Sequence, residues 1–389
     1  MAGMGIGPVF IFGLSSLSPT IVDEYGITEG QFGYLITALF LTSGIASTLL
    51  GRLSDRMALP AQFLILHLGT AVAFLVSLIA ARYEWMLVAA VIAGVAQAQS
   101  NPVTNRVVAE RVPAARRSTW MGWKQSGVQM GMLAAGATFP FLGAIAGWPG
   151  AAIVGAAACV PLALASWLLT RRLGPAPAPV AAPTDAASAG ARESIARRAL
   201  WLFPLASFLN AVGTQGFNAF AALFAVRGLG APMSIAAWTL AAIGLIGVVS
   251  RIGWGRVSGR AGQPSRLLAV MSIGGMLAMA MLTVAELTGE SAFVAAAIPL
   301  HAALPLAANV VINSGIVAMA PRERMGQASG LVATGMYLGF AAGPAIVGAL
   351  IDATGTYRAG WVAMAVSYAA CIVIALRIAV LEQRRSQLA

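Results

Sequence analysis

The chain has 389 residues, 59% of them apolar and only 10% charged, and carries a formal net charge of +11. A soluble domain is nearer half apolar and a quarter charged, so an ordinary soluble globular protein is excluded. The basic residues fall in short segments between apolar runs, which is the pattern of membrane topology and not of a nucleic-acid-binding face.

A membrane-spanning helix needs about 20 apolar residues. The apolar runs predict twelve spans, over 2–22, 30–51, 61–81, 85–106, 119–142, 149–170, 199–224, 233–255, 265–286, 291–320, 327–350 and 359–380. Helices are required because backbone groups in lipid must be satisfied within the segment, and the runs are too long for barrel strands. Span 1 shows no basic n-region and no small-residue cleavage site, so it is expected to be a retained helix. The stretch 171–198 is rich in Pro, Ala and Ser with charged ends, and it reads as a flexible linker. It divides the chain into bundles of six helices over 1–170 and 199–389. The predicted fold class is an all-α integral membrane protein of two pseudo-symmetric six-helix bundles.

Cys159 and Cys371 lie in apolar stretches, so neither a disulfide framework nor a metal site is expected. Placing both termini in the cytoplasm puts 19 arginines on that side and only Arg82, Arg227 and Arg358 outside. The outer loops instead hold Asp23, Glu24, Glu29, Glu84, Glu286, Glu290 and Asp352. This bias predicts a multi-pass protein of the cytoplasmic membrane with both termini inside.

The two bundles repeat at an offset of 204–208 residues. Gly51-Arg52-Leu53-Ser54-Asp55-Arg56 follows span 2, and Gly255-Arg256-Val257-Ser258-Gly259-Arg260 follows span 8. Pro113-Ala114-Ala115-Arg116 precedes a helix with Gly122 and Gly127, and Pro321-Arg322-Glu323-Arg324 precedes one with Gly330 and Gly335. Asn101 and Asn105 of span 4 match Asn309 and Asn313 of span 10. Parallel six-helix repeats about an axis normal to the membrane belong to a large class of transporters.

On the strength of GRLSDR, its copy GRVSGR and the paired P-x-x-R loops, the chain resembles the major facilitator superfamily over essentially its whole length. The resemblance implies two six-helix bundles rocking about a central cavity lined by spans 1, 4, 7 and 10. Asp55 at the inner end of span 2 can pair with a nearby Arg or face a neighbouring helix N-terminus, for which the resemblance suggests span 11, or it only balances local arginines for insertion. Asp55, Arg56, Gly51 and Arg116 are the expected gating residues. Three features depart from the family's pattern, the second from many proton-driven antiporters and the third from drug antiporters, and they argue against proton-driven drug efflux. The loop after Arg56 is Met57-Ala58-Leu59-Pro60, no arginine occurs between Arg82 and Arg106, and span 5 has no Gly-Pro pair.

Gln97, Asn101 and Asn105 are spaced four apart and share one face of span 4; Pro305, Asn309 and Asn313 do the same in span 10. An amide facing lipid without a partner costs on the order of 1–3 kcal/mol, so these asparagines are expected to face protein or water. They serve either as a substrate-binding wall or as interhelical hydrogen bonds. Pro102 and Pro305 would free carbonyls in the same helices. Span 7 adds Asn210, Thr214, Gln215 and Asn218. Glycines of span 5 (Gly127, Gly131, Gly136) and span 11 (Gly335, Gly339, Gly343, Gly348) predict close helix packing.

The sharpest signal is a pair of cations inside spans. Lys124 is the single lysine, about five residues into span 5, and Arg251 lies one turn before Gly255. Their repeat positions hold Val332 and Ser47, and no Asp or Glu lies deep in any span. Unneutralised buried cations attract an anion, whereas snorkelling to the headgroups is the plainer alternative. The place of Arg251 resembles that of an arginine in span 8 of carboxylate-carrying members of the superfamily. His67 is expected at the membrane interface. His301 extends the Pro305–Asn309–Asn313 line outward; it is either a packed neutral histidine or the intramembrane candidate for carrying a coupled proton.

These readings predict a monomeric secondary transporter of a small organic anion, coupled to protons or working by exchange, with lipid as its surroundings. Lys124, Arg251, Asn101, Asn105, Asn309, Asn313, Gln215 and Asn218 are the expected substrate contacts. Export of hydrophobic drugs or metabolites is the alternative. No cofactor is expected, and no phosphate-binding loop is present. Two separated histidines without a deep carboxylate argue against a membrane enzyme.

Overall fold

The computed structural model describes residues 1–17, 21, 24–27, 29–173, 186–230, 233–261, 263–321 and 324–387. Of the features named above, Asp23, Arg322, Glu323 and linker residues 174–185 lie outside the described residues, as do the side chains of Glu29 and Arg227.

The described chain is helical from end to end. Among the described residues, span 1 contains two short helices, α1 (Ala2–Gly5) and α2 (Val9–Ser16). Then come α3 (Glu29–Ser54), α4 (Leu59–Val76), α5 (Tyr83–Ala98) and α6 (Ser100–Arg111). They are followed by α7 (Arg117–Arg171), α8 (Ala186–Leu223), α9 (Met233–Arg260) and α10 (Pro264–Thr288). The last four are α11 (Ser291–Ala303), α12 (Ala308–Met319), α13 (Met325–Thr354) and α14 (Arg358–Gln387). Eight stretches among the described residues are long and apolar enough to cross a membrane.

Proline and glycine set the boundaries. Pro60 and Pro264 occupy first-turn positions of α4 and α10, where a missing N–H costs nothing. Gly289 closes α10 at φ +76°, a left-handed conformation that a Cβ disfavours. Within α7, Ala146 and Gly147 (φ +60°) leave helical geometry, so this long element contains two helices and delivers spans 5 and 6. The carboxylate of Glu24 accepts the Trp148 N–H at 3.2 Å, at the start of the second one.

Two of the expected continuous helices are interrupted. Span 4 breaks at Gln99 and span 10 at Leu304, where a 3-10 turn over Pro305–Ala307 follows. The breaks fall near repeat-related positions and have prolines at hand, Pro102 and Pro305. The linker reading also gives way in part, because α8 already starts at Ala186.

Contacts divide the chain into two compact units. The first comprises 1–112, 124–177 and 321–334, and the second 113–123, 178–320 and 335–389. In the first, Phe10, Phe74 and Trp148 form an aromatic core, with the Phe10 and Phe74 centroids 5.1 Å apart. In the second, Phe224, Trp361 and Tyr368 are buried together with Phe217. A Cβ on Gly275 would lie 2.7 Å from the Tyr368 ring, so only glycine admits that ring against α10.

His67 is fully buried, with Nδ1 2.7 Å from the Phe63 carbonyl and its ring beside Phe63. The close packing expected at Gly136 and Gly348 is not found, since nothing lies within 4 Å of a Cβ placed on Gly136 and Gly348 makes only ordinary contact with Phe220. The remaining glycines do pack closely. Gly127 and Gly131 meet the backbone of Met1 and Gly5, while Gly335, Gly339 and Gly343 meet the α8 backbone at Pro204, Phe208 and Val212.

Candidate functional site

In the first unit the chemistry gathers around Lys124 on α7. Asn101 and Asn105, one turn apart on α6, turn their amide oxygens to it. Lys124 Nζ donates to Asn101 Oδ1 at 3.2 Å and to Asn105 Oδ1. Asn105 in turn donates through Nδ2 to Ser329 Oγ of α13 at 3.0 Å, and Gln125 Nε2 reaches Asn101 Oδ1 at 3.4 Å. Lys124 is 5% exposed, Asn101 3% and Asn105 0%. Snorkelling to the headgroups is therefore not what this side chain does. Amide oxygens satisfy the ammonium's hydrogen bonds but carry no formal charge, and no carboxylate pairs with Lys124 among the described residues.

In the second unit the interruption of span 10 is the centre. It frees carbonyls that the helix no longer uses, and neighbouring helices fill them. Ala303 O accepts from Ser250 Oγ and, at 2.8 Å, from Trp254 Nε1. Pro305 O accepts from Asn210 Nδ2 at 3.3 Å, and Leu306 O from Arg251 Nη2 at 3.2 Å. Arg251 is 6% exposed, so it too is buried, with one arm of its fork holding the broken helix. Asn313 Nδ2 donates to the Asn309 carbonyl at 2.7 Å. Gln215 and Asn218 are half-buried on α8, and the buried Oδ1 atoms of Asn218 and Asn309 have no hydrogen-bond partner among the described residues.

His301 does not continue the asparagine line, because the break at Leu304 interrupts the helical register. It is fully buried and stacked on Phe217, with ring centroids 3.8 Å apart. Its Nε2 lies 2.9 Å from the Tyr368 hydroxyl, which lies 3.4 Å from Thr214 Oγ1; Thr214 donates to the Asn210 carbonyl at 2.8 Å. This chain ties α8, α11 and α14 together. Sequence reading missed Tyr368 and Ser329, whose aromatic and hydroxyl identities look ordinary within apolar helices.

At the arginine-rich end of the first unit, Asp55 follows the last turn of α3. Its carboxylate accepts the N–H groups of Gly326 at 2.6 Å and Gln327 at 2.9 Å, in the first turn of α13. These are orphan donors at the positive end of a helix dipole. Burial raises the Asp55 carboxyl above the ordinary range, while the two N–H bonds and Arg106 pull it back. Gly51 lies one turn earlier at the α3–α13 crossing, where its Cβ would meet the Gly330 Cα at 2.9 Å. Arg56 and Arg116 are exposed, and neither pairs with Asp55. Arg106, which the sequence did not single out, caps α3 instead: Nη1 donates to Ser54 O at 2.7 Å and Met57 O at 2.8 Å, and Nε pairs with Glu110 at 2.6 Å.

Solved structures share this architecture. The human organic anion transporter MFSD10 (TETRAN) matches with a TM-score of 0.77 at 13% identity, over 96% of this chain and 97% of that one. A variant of the E. coli fucose:proton symporter FucP matches with 0.71 at 15%, over 96% and 97%. The proton:xylose symporter XylE, bound to 6-bromo-6-deoxy-D-glucose, matches with 0.71 at 14%, over 97% and 93%. The family model of the Major Facilitator Superfamily matches residues 2–312. With the family model matching over most of its length, the chain belongs to the Major Facilitator Superfamily of multi-pass membrane transporters.

Proposed function

We propose that the protein moves a small organic anion, a carboxylate in the simplest case, across the cytoplasmic membrane by alternating access. The observation that supports this most is Lys124, a buried ammonium held by two amide oxygens and no carboxylate. An incoming carboxylate would supply the missing negative charge and compete with Asn101 and Asn105 for the same donors. Arg251 presents a second buried positive charge in its own unit, and Asn309 and Asn218 hold buried acceptors that would orient hydroxyl or N–H groups. Coupling is by exchange or by protons, and His301 with Tyr368 is the pair proposed to carry the proton in the second case.

The test is uptake into proteoliposomes with a panel of labelled carboxylates, with and without a pH gradient. Carboxylate uptake is expected, and Lys124→Gln and Arg251→Gln should each abolish it while expression stays near normal. Accumulation that needs the gradient and is lost in His301→Gln, with counterflow retained, selects proton coupling. Normal uptake by both cation variants, or transport of hydrophobic drugs and no carboxylate, overturns the anion reading.

A further inference from the structure

A separate cleft of about 550 Å³ opens beside Asp55, within the size range of small-ligand sites. Arg52, Arg56 and Arg324 line it, with Leu49 and Leu53 as its apolar wall. The three arginines make no ion pair among the described residues. The carboxylate in the cleft, Asp55, is already committed to the N–H groups of Gly326 and Gln327. Among the described residues, three guanidinium groups against one engaged carboxylate leave a positive pocket.

What distinguishes this pocket from a scattered surface charge is its approach. Leu41, Ile45, Leu49 and Leu53 follow one another at intervals of four, so they form one stripe along α3. All four are exposed, by 43%, 58%, 64% and 46%. In a membrane protein such a stripe faces acyl chains, and here it runs directly into the arginines. Basic pockets at the cytoplasmic side of transmembrane helices suit anionic headgroups, and the arginine fork matches phosphate oxygens. We infer that this cleft binds the phosphate headgroup of an anionic phospholipid, with an acyl chain lying along the Leu41–Leu53 stripe. The site is distinct from Lys124 and Arg251 and does not depend on what the protein carries.

The experiment is native mass spectrometry of the full chain purified from bilayers containing phosphatidylglycerol. The wild type is expected to retain one such lipid. R52Q/R56Q/R324Q should retain it at least tenfold less, with an unchanged melting temperature because all three side chains are exposed. R171Q/R172Q/R384Q, with the same loss of charge at exposed positions elsewhere, should retain it fully. Equal retention by the wild type and the cleft variant, or equal loss in both triple variants, overturns the inference. Glycerol 3-phosphate provides the second arm. Displacement of the lipid by this soluble anion as effectively as by dihexanoyl phosphatidylglycerol would make the cleft a soluble-phosphate site and sink the lipid assignment; displacement by the lipid analogue alone supports it.

Discussion

The carboxylate of Asp55 accepts the backbone N–H of Gly326 at 2.6 Å, fastening the end of α3 to the first turn of α13. The repeat places Gly259 where Asp55 stands and Ser118 where Gly326 stands. Those two also face each other, with a Cβ on Gly259 only 3.3 Å from that of Ser118. The crossings beneath are matched as well. Gly51 meets Gly330 in one, and Gly255 meets Gly122 in the other, where a Cβ on Gly255 would lie 2.7 Å from the Gly122 Cα. One scaffold is thus used twice, and a carboxylate fastens only one copy.

Asp55→Asn keeps the shape and removes the charge. Hydrogen bonds to a charged group contribute about 1.5–3 kcal/mol, against roughly 1 for neutral ones. Amide exchange at Gly326 and Gln327 should therefore speed up by about tenfold, with little change elsewhere in α13. Unchanged protection at those two amides would show that Asp55 does not hold the helix start.

Gly259→Asp is the converse. The new carboxylate would stand beside Ser118 at the first turn of α7, where orphan N–H groups favour negative charge. The expected result is a higher melting temperature together with slower transport, because a second crossing is then fastened. Faster or unaltered transport with an unaltered melting temperature would contradict it.

The glycines of these crossings should tolerate nothing larger. Gly255→Ala forces a methyl into the Gly122 backbone and the Ser118 carbonyl, and overpacking of this kind costs about 1–3 kcal/mol. Gly253→Ala, two residues earlier on the same helix and with nothing within 4 Å, should be neutral or slightly stabilising. Thermal melts of the two variants in detergent, compared with the wild type, check both.

Much of this was legible in the chain itself, for a physical reason: membrane helices must satisfy their own backbone, so apolar length and charge bias carry the fold. The repeat offset that aligns Gly122 with Gly330 also aligns Ser118 with Gly326, so the Asp55 partner was within reach. The break at Leu304 was not. Pro305 signals that a carbonyl is freed, but only three-dimensional packing shows that Ser250, Arg251, Trp254 and Asn210 supply the donors. The burial of His67 was not legible either, since a single histidine among leucines has no periodicity to place it.

Lys124 separates a structural role from a transport role most cleanly. Lys124→Met keeps the length and removes both the charge and the donors. A purely structural ammonium would on removal take its charged donor from the buried Asn101 and Asn105 oxygens, at about 1–3 kcal/mol, although Gln125 Nε2 still reaches Asn101 Oδ1. A charge kept for an anion is instead a burden to the empty protein, because a desolvated charge that no opposite charge neutralises disfavours the folded state. The anion reading therefore predicts a melting temperature equal to or above the wild type, with carboxylate uptake reduced at least tenfold. Lys124→Arg should recover part of the uptake, since it restores charge without restoring the point geometry of an ammonium. A Lys124→Met variant that melts several degrees lower while its transport per folded molecule is unchanged would assign this lysine to the scaffold.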